Sequence, residues 1–215
     1  ISMNQNIRNT FSFKRISAKF GIYYIYQKNA NTILLSNGCD ERTRNLNRIN
    51  IRWRFTEDFT LINSAESGTK KYESEFFSIK NYKIEDLIYE IKIQYQPGFK
   101  TRAEINYSYS DKKNILSVEQ SFINNVGAEF NYSITKKGNL LLKGNYLNIN
   151  YNYNTNTSVA YEMLQALKPG NNATWSILFQ RKIADNLEMN FSYNGRISEN
   201  INAIHTGSLQ LRAFL

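Results

Sequence analysis

Residues 172–215, NATWSILFQRKIADNLEMNFSYNGRISENINAIHTGSLQLRAFL, hold three successive segments with one pattern. Between Ala173 and Ile183 the odd positions carry Trp175, Ile177 and Phe179, and the even ones Thr174, Ser176, Gln180 and Lys182, with Leu178 as the exception. Between Leu187 and Ile197, Leu187, Met189, Phe191 and Tyr193 alternate with Glu188, Asn190, Ser192, Asn194 and Arg196. From Thr206 onward, Leu209, Leu211, Ala213 and Leu215 alternate with Thr206, Ser208, Gln210 and Arg212. Successive side chains of a strand leave opposite faces, so a period of two marks a strand with one apolar and one polar side. The connections, 184–186 and 198–203, are short and polar, as turns are. Three such strands in a row suit the seam of a closed antiparallel barrel.

Upstream, the same rule recurs. Segments 6–14, 18–28, 48–55, 59–66, 72–82, 87–96, 102–110, 115–123, 126–135 and 139–151 read as strands, the clearest being Ile49, Ile51, Trp53 and Phe55 against Arg48, Asn50, Arg52 and Arg54. Residues 29–45, with the Asn37-Gly38 turn signal, read as a long loop with a short strand at 32–35. In 139–151 the apolar parity changes from Leu140 and Leu142 to Leu147, Ile149 and Tyr151, which predicts a bulge near Gly144. Segment 158–167 fits a helix as well as a strand; the turn that follows, Lys168-Pro169-Gly170-Asn171, favours a strand. The expected fold is all-β, an antiparallel transmembrane β-barrel of about 12–14 strands with short turns. Most segments have about the 9 to 11 residues that a tilted spanning strand needs. Residues 1–215 are expected to form a single barrel domain, either complete or as the C-terminal part of a longer protein.

Composition supports this reading. Of 215 residues 14% are aromatic, including 15 Tyr and 13 Phe, which argues against disorder. Mean hydropathy is −0.52 and no run approaches the ~18 apolar residues of a spanning helix, which excludes a helical membrane protein but not a barrel. One Cys and one His allow neither an intramolecular disulfide nor a zinc set within the chain. No cofactor or metal is expected. The first residues do not read as a secretory signal, so the expectation is a processed chain or a piece of a longer one.

Distribution decides what the net charge of +9 means. The basic residues alternate with apolar ones and form no dedicated patch, so nucleic acid is not an expected partner. Charges of both signs share one parity: Arg48, Arg52, Arg54, Glu90, Lys92, Arg102, Glu104, Glu129, Glu188, Arg196 and Arg212. In hydrocarbon they would be costly, so this face is assigned to a hydrated, cross-braced lumen and the apolar parity to lipid. The alternative is a soluble barrel with an apolar interior, which so many long strands would make too wide to fill. Membrane-interface positions are assigned to Trp53, Tyr95, Tyr107, Tyr109, Trp175 and Tyr193. Lys70-Lys71, Lys112-Lys113 and Lys136-Lys137 are expected in turns, as solvated residues or as contacts for lipopolysaccharide phosphates.

The segments 161–171, Tyr193-Asn194-Gly195-Arg196 and 205–215 resemble the C-terminal ends of large, mostly uncharacterised outer-membrane proteins of the Bacteroidota. That resemblance implies a C-terminal barrel inserted in the bacterial outer membrane, preceded in relatives by longer regions. Leu215 departs from the aromatic last residue common in such barrels.

Candidate chemistry is thin. His205 with Ser208 or Ser192 would suit an outer-membrane lipid hydrolase, but neither serine has a nucleophile motif. A Glu188 and Glu129 acid–base pair has no support beyond its charge. The arginine row of Arg48, Arg52 and Arg54 suits either an anion site or braces to Glu90 or Glu104, and the braces are the expectation. No enzyme activity is expected. The expected role is a structural or interaction subunit of a larger outer-membrane complex, with outer-membrane lipid, lipopolysaccharide and protein partners. A porin-like or transporter barrel for small solutes is the alternative, and a lipid hydrolase the minor one.

Overall fold

In a computed structural model, residues 2–13, 19–36, 38–134, 138–199 and 201–214 are described. Eleven strands follow one another in a single antiparallel meander: β1 (Ser2–Phe13), β2 (Phe20–Leu35), β3 (Gly38–Arg54), β4 (Phe59–Ser74), β5 (Tyr82–Tyr95), β6 (Thr101–Asn114), β7 (Gln120–Ile134), β8 (Gly138–Tyr151), β9 (Gly170–Ala184), β10 (Leu187–Ser198) and β11 (Ile201–Ala213). A short helix, α1 (Ser158–Met163), interrupts the loop between β8 and β9. The sheet is not closed: among the described residues β1 pairs only with β2, and β11 only with β10.

The expected all-β antiparallel architecture is present, with eleven strands among the described residues where about twelve to fourteen were expected. Residues 29–45 are not a loop. They form the ends of β2 and β3, paired without a break from Phe20–Trp53 to Leu35–Gly38. Gly38, at φ +135°, takes a backbone conformation that other residues rarely adopt. Segment 72–82 divides into the end of β4, a loop with a 3-10 turn at Ser78–Lys80, and the start of β5. Segments 115–123 and 126–135 are a turn followed by one strand, β7.

Polarity is inverted relative to a water-soluble protein. Outward positions hold Ile49, Ile51, Trp53, Tyr89, Ile91, Ile93, Ile105, Tyr107, Leu209 and Leu211, all exposed, with Ile91 at 51%. Glu66 and Glu104 are buried on the concave side. From the end of the sheet with the connections 55–58, 96–100 and 185–186, the outward rows of β2, β6 and β8 run from apolar through tyrosine to polar. In β2 it is Phe20, Ile22, Tyr24, Tyr26, Lys28; in β6, Ala103, Ile105, Tyr107, Tyr109, Asp111, Lys113; in β8, Leu140, Leu142, Gly144, Tyr146, Asn148. Such an apolar stretch, about nine residues of tilted strand, rises about 23 Å, close to the ~25 Å apolar band of outer-membrane barrels.

Above the tyrosines the concave face becomes apolar on β5, β7 and β8. Ile84, Ile123, Leu147 and Ile149 point inward there and pack on Val159, Ala160, Met163 and Leu164 of the β8–β9 loop. The parity change in β8 is therefore real, yet there is no bulge at Gly144. The β8 register to β7 and β9 is continuous, and the apolar side changes because α1 covers the inner face. Segment 158–167 is helical for the same reason: Val159, Ala160 and Met163 share one helical face against the sheet. Thr157 Oγ1 accepts from the Ala160 N–H at 3.0 Å, and Gln165 and Ala166, both at positive φ, end the helix.

Two outcomes test this arrangement. Ile91→Arg, on the outward face, should lower stability in lipid by about 2–4 kcal/mol, whereas Thr206→Arg, on the inward parity, should change it by less than about 1 kcal/mol, read by urea titration of the membrane-extracted protein. Met163→Ala, at a position with 0% exposure, should cost about 2–5 kcal/mol and expose residues 152–169 to protease. An unchanged cleavage rate would count against the docking of α1.

Candidate functional site

The concave face is the candidate site, and its charges are organised by cross-strand register. On β3 and β4, Arg48 stands opposite Glu66. Arg48 Nε donates to Glu66 Oε2 at 2.8 Å, its terminal guanidinium nitrogen also pairs with that oxygen, and Arg44 reaches Glu66 Oε1 at 3.3 Å. A carboxylate with 4% exposure thus lies between two guanidinium groups. On β5 and β6, Glu104 accepts from Lys92 and Arg102, both at 2.9 Å. Ser64 Oγ donates to Glu90 at 3.5 Å, and Lys92 lies 3.8 Å from Glu90. On β7 and β8, Lys143 pairs with Glu129 at 2.9 Å.

The lumen-charge set thus shares one side of the sheet but forms separate local groups. Arg48, Glu90, Lys92, Arg102, Glu104 and Glu129 enter ion pairs. Arg52 lies 6.0 Å from the centre of the Tyr23 ring, and Arg54 has the same parity as Arg48 and Arg52. Glu188 and Arg212 are register partners on β10 and β11, while Arg196 borders a depression of about 400 Å³ with Lys143, Ser176 and Asn194. The expected brace from the arginine row to Glu90 or Glu104 is not formed by Arg48, whose partner is Glu66 on the nearer strand β4. Sequence reading missed Glu66 because the outward row of β4, with Asn63, Ala65 and Ser67, is weakly apolar. It missed Arg44 because outward Thr43 and Asn45 beside it give no apolar alternation; Lys143 shares the inward parity of β8 and is accessible to the same parity rule.

Higher on the same face, two lysines hold the loop. Lys70 Nζ meets Glu162 Oε1 at 2.7 Å, and Lys112 Nζ donates to the Met163 carbonyl at 2.8 Å, where a cation suits the C-terminal end of a helix. Neither lysine lies in a turn, contrary to expectation: Lys70-Lys71 belongs to β4 and Lys112-Lys113 to β6, while Lys136-Lys137 falls outside the described residues. Lys71 pairs with Glu73 at 2.6 Å.

On the outward face the interface aromatics satisfy their polar ends. Tyr107 donates to Asn124 Oδ1 at 2.8 Å, as Tyr24 does to Asn47 and Tyr146 to Asn171. Tyr109 stacks on Phe122, and Trp53, Phe55, Phe59 and Tyr95 form a chain of ring contacts at the opposite border. The Tyr193 hydroxyl is 2.8 Å from His205 Nδ1. Trp175 lies across Gly195 with its ring centre 5.8 Å from that of His205; a Cβ on Gly195 would sit 2.1 Å from the indole. His205 is thus on the outward parity, whereas Ser192 and Ser208 share an inward hydrogen bond of 2.9 Å, so the histidine and serines are not brought together. Glu129 and Glu188 are separated by β8 and β9.

Glu66→Gln should lower stability by about 1–2 kcal/mol, because Arg44 and Arg48 lose a shared charged acceptor while remaining partly exposed. Adding Arg48→Gln should recover part of that loss in a double-mutant cycle. Strict additivity would mean that the pair contributes nothing.

No family model matches the sequence, and no curated protein sequence does. Among solved structures, the siderophore receptor PirA from Pseudomonas aeruginosa aligns over 99% of this chain and 37% of its own, at a TM-score of 0.58 and 10% identity. The NanC porin aligns over 98% and 99%, at 0.46 and 8%, and the β-domain of the Bordetella autotransporter BrkA over 99% and 91%, at 0.43 and 6%. The chain therefore spans little more than a third of the receptor it matches. Its fold is that of bacterial outer-membrane β-barrels, and the outward apolar band is the surface such a fold presents in that membrane.

Proposed function

We propose that this chain forms the wall of an outer-membrane barrel whose closure is supplied by further strands, and that it serves as a structural and interaction subunit of a larger outer-membrane assembly. The observation that carries the reading is the pair of open edges. β1 and β11 run in the same direction, so they cannot close the meander as an antiparallel pair. Yet their outward rows, Ile7, Phe11 and Phe13 on β1 and Leu209 and Leu211 on β11, are apolar and exposed. An edge left in hydrocarbon costs several kcal/mol per unpaired backbone group. An odd number of added strands restores an all-antiparallel closure. The match to an arc of the larger siderophore receptor is in keeping with this.

The short connections 55–58, 96–100 and 185–186 then face the periplasm and the long loop 152–169 the exterior. In this reading the outward Lys83 and Lys113, above the tyrosines, meet lipopolysaccharide phosphates, a reading supported by their outward parity beyond the apolar band. A second reading, passage of small solutes, is favoured by the charged concave face; single-channel conductance tests it.

The closure itself is tested with Asn9→Cys and Leu209→Cys together in a Cys39→Ser background. Mild oxidation of the membrane-inserted protein should give no intramolecular disulfide. Efficient formation would mean that β1 and β11 close on each other and would overturn the need for added strands.

A further inference from the structure

The upper concave face between β1 and α1 contains a cleft of about 560 Å³ that the ion-paired wall below it does not explain. Cross-strand register builds two rows along it. Asn6 stands opposite Asn29, Asn29 opposite Arg44, and Arg44 opposite Lys70; one step higher, Asn4 stands opposite Asn31, and Asn31 opposite Arg42. The longer row crosses four strands, about 14 Å, the reach of an extended molecule rather than of a single ion. One end is a patch of amides and the other a patch of cations.

Three inward cations, Arg42, Arg44 and Lys70, line the cleft with one carboxylate, Glu162, while Asp86 interacts with Arg44 and Lys70 from β5 and Asp40 accepts a hydrogen bond from Tyr72. Arg44 shares the one charge of Glu66 with Arg48, Lys70 has Glu162, and Arg42 lies 5.1 Å from the centre of the Tyr72 ring. At the amide end, Asn31 Oδ1 is buried without a hydrogen-bond partner, an acceptor that a hydroxyl would satisfy. Guanidinium and ammonium groups suit a carboxylate, and paired amides suit vicinal hydroxyls.

We propose that this cleft binds a carboxylated saccharide, its acidic groups on Arg42, Arg44 and Lys70 and its hydroxyls on Asn4, Asn6, Asn29 and Asn31. The cleft lies on the concave side, away from the lipid-facing surface, so the saccharide is a soluble one. Glu162 competes with it for Lys70.

The test is calorimetric titration of the protein, extracted from membranes in mild detergent in whatever assembly it holds there, with tetragalacturonate, with uncharged galactotetraose and with inorganic phosphate. Tetragalacturonate should bind at least about tenfold more tightly than the neutral tetramer, and phosphate should not compete at equal concentration. Arg42→Gln should weaken it about tenfold or more. Glu162→Gln should tighten binding, a gain that damage to the fold does not produce. Equal affinity for charged and neutral tetramers, no binding of either, competition by phosphate at equal concentration, or unchanged affinity in both variants would overturn the proposal.

Discussion

Strands such as β2, β6 and β8 span a change of solvent along their own length. Below the tyrosine level the outer face contacts an apolar medium and the inner face water; above it the outer face carries Lys83, Asp111 and Asn148 while the inner face of β5, β7 and β8 is covered by α1. A ladder with a period of two has only two sides, so the exchange must be made by changing residue type at fixed parity. β8 does this within one unbroken strand, from Leu140 and Leu142 outward to Leu147 and Ile149 inward. The tyrosines mark the crossing because a ring tolerates hydrocarbon while its hydroxyl finds an asparagine on the adjacent strand.

The charged wall follows from the same division. Carboxylates set low between strands lose water, and Glu66 and Glu104 are each held by two cations. Lysine and arginine stems lie along the wall while their heads remain partly wet, so the desolvation cost falls mainly on the acids. Distribution into separate pairs leaves amide-lined and hydroxyl-lined surface between them, and this gives the concave face chemical variety along its width.

Much of this was legible in the residues. Strands with one uniform outward row, such as β5 and β6, declared themselves by alternation, and their inward charges were identified by parity alone. What failed was wherever polarity reversed. Residues 29–45 lie above the tyrosine level, where outward Lys28 and Thr43 remove the apolar signal although the ladder continues. The bulge inferred at Gly144 came from the same reversal, and α1 was mistaken for a strand because its burial depends on a surface formed by β5, β7 and β8 together. Ion partners on adjacent strands, such as Glu66 for Arg48, depend on register, which alternation within one strand does not encode.

The contact between Lys70 and Glu162 joins residues 92 apart in the chain, in a meander whose strands otherwise pair with their immediate neighbours. Hairpins can therefore form and join one at a time, each closing a short loop, but the seat for α1 exists only when β4 through β8 are aligned. Filling of this inner surface is thus a late event in assembly, and the loop samples solvent until its five supporting strands are in place. A register error in any one of them would leave Met163 without its pocket, so docking of a six-residue helix reports on the order of a large part of the sheet.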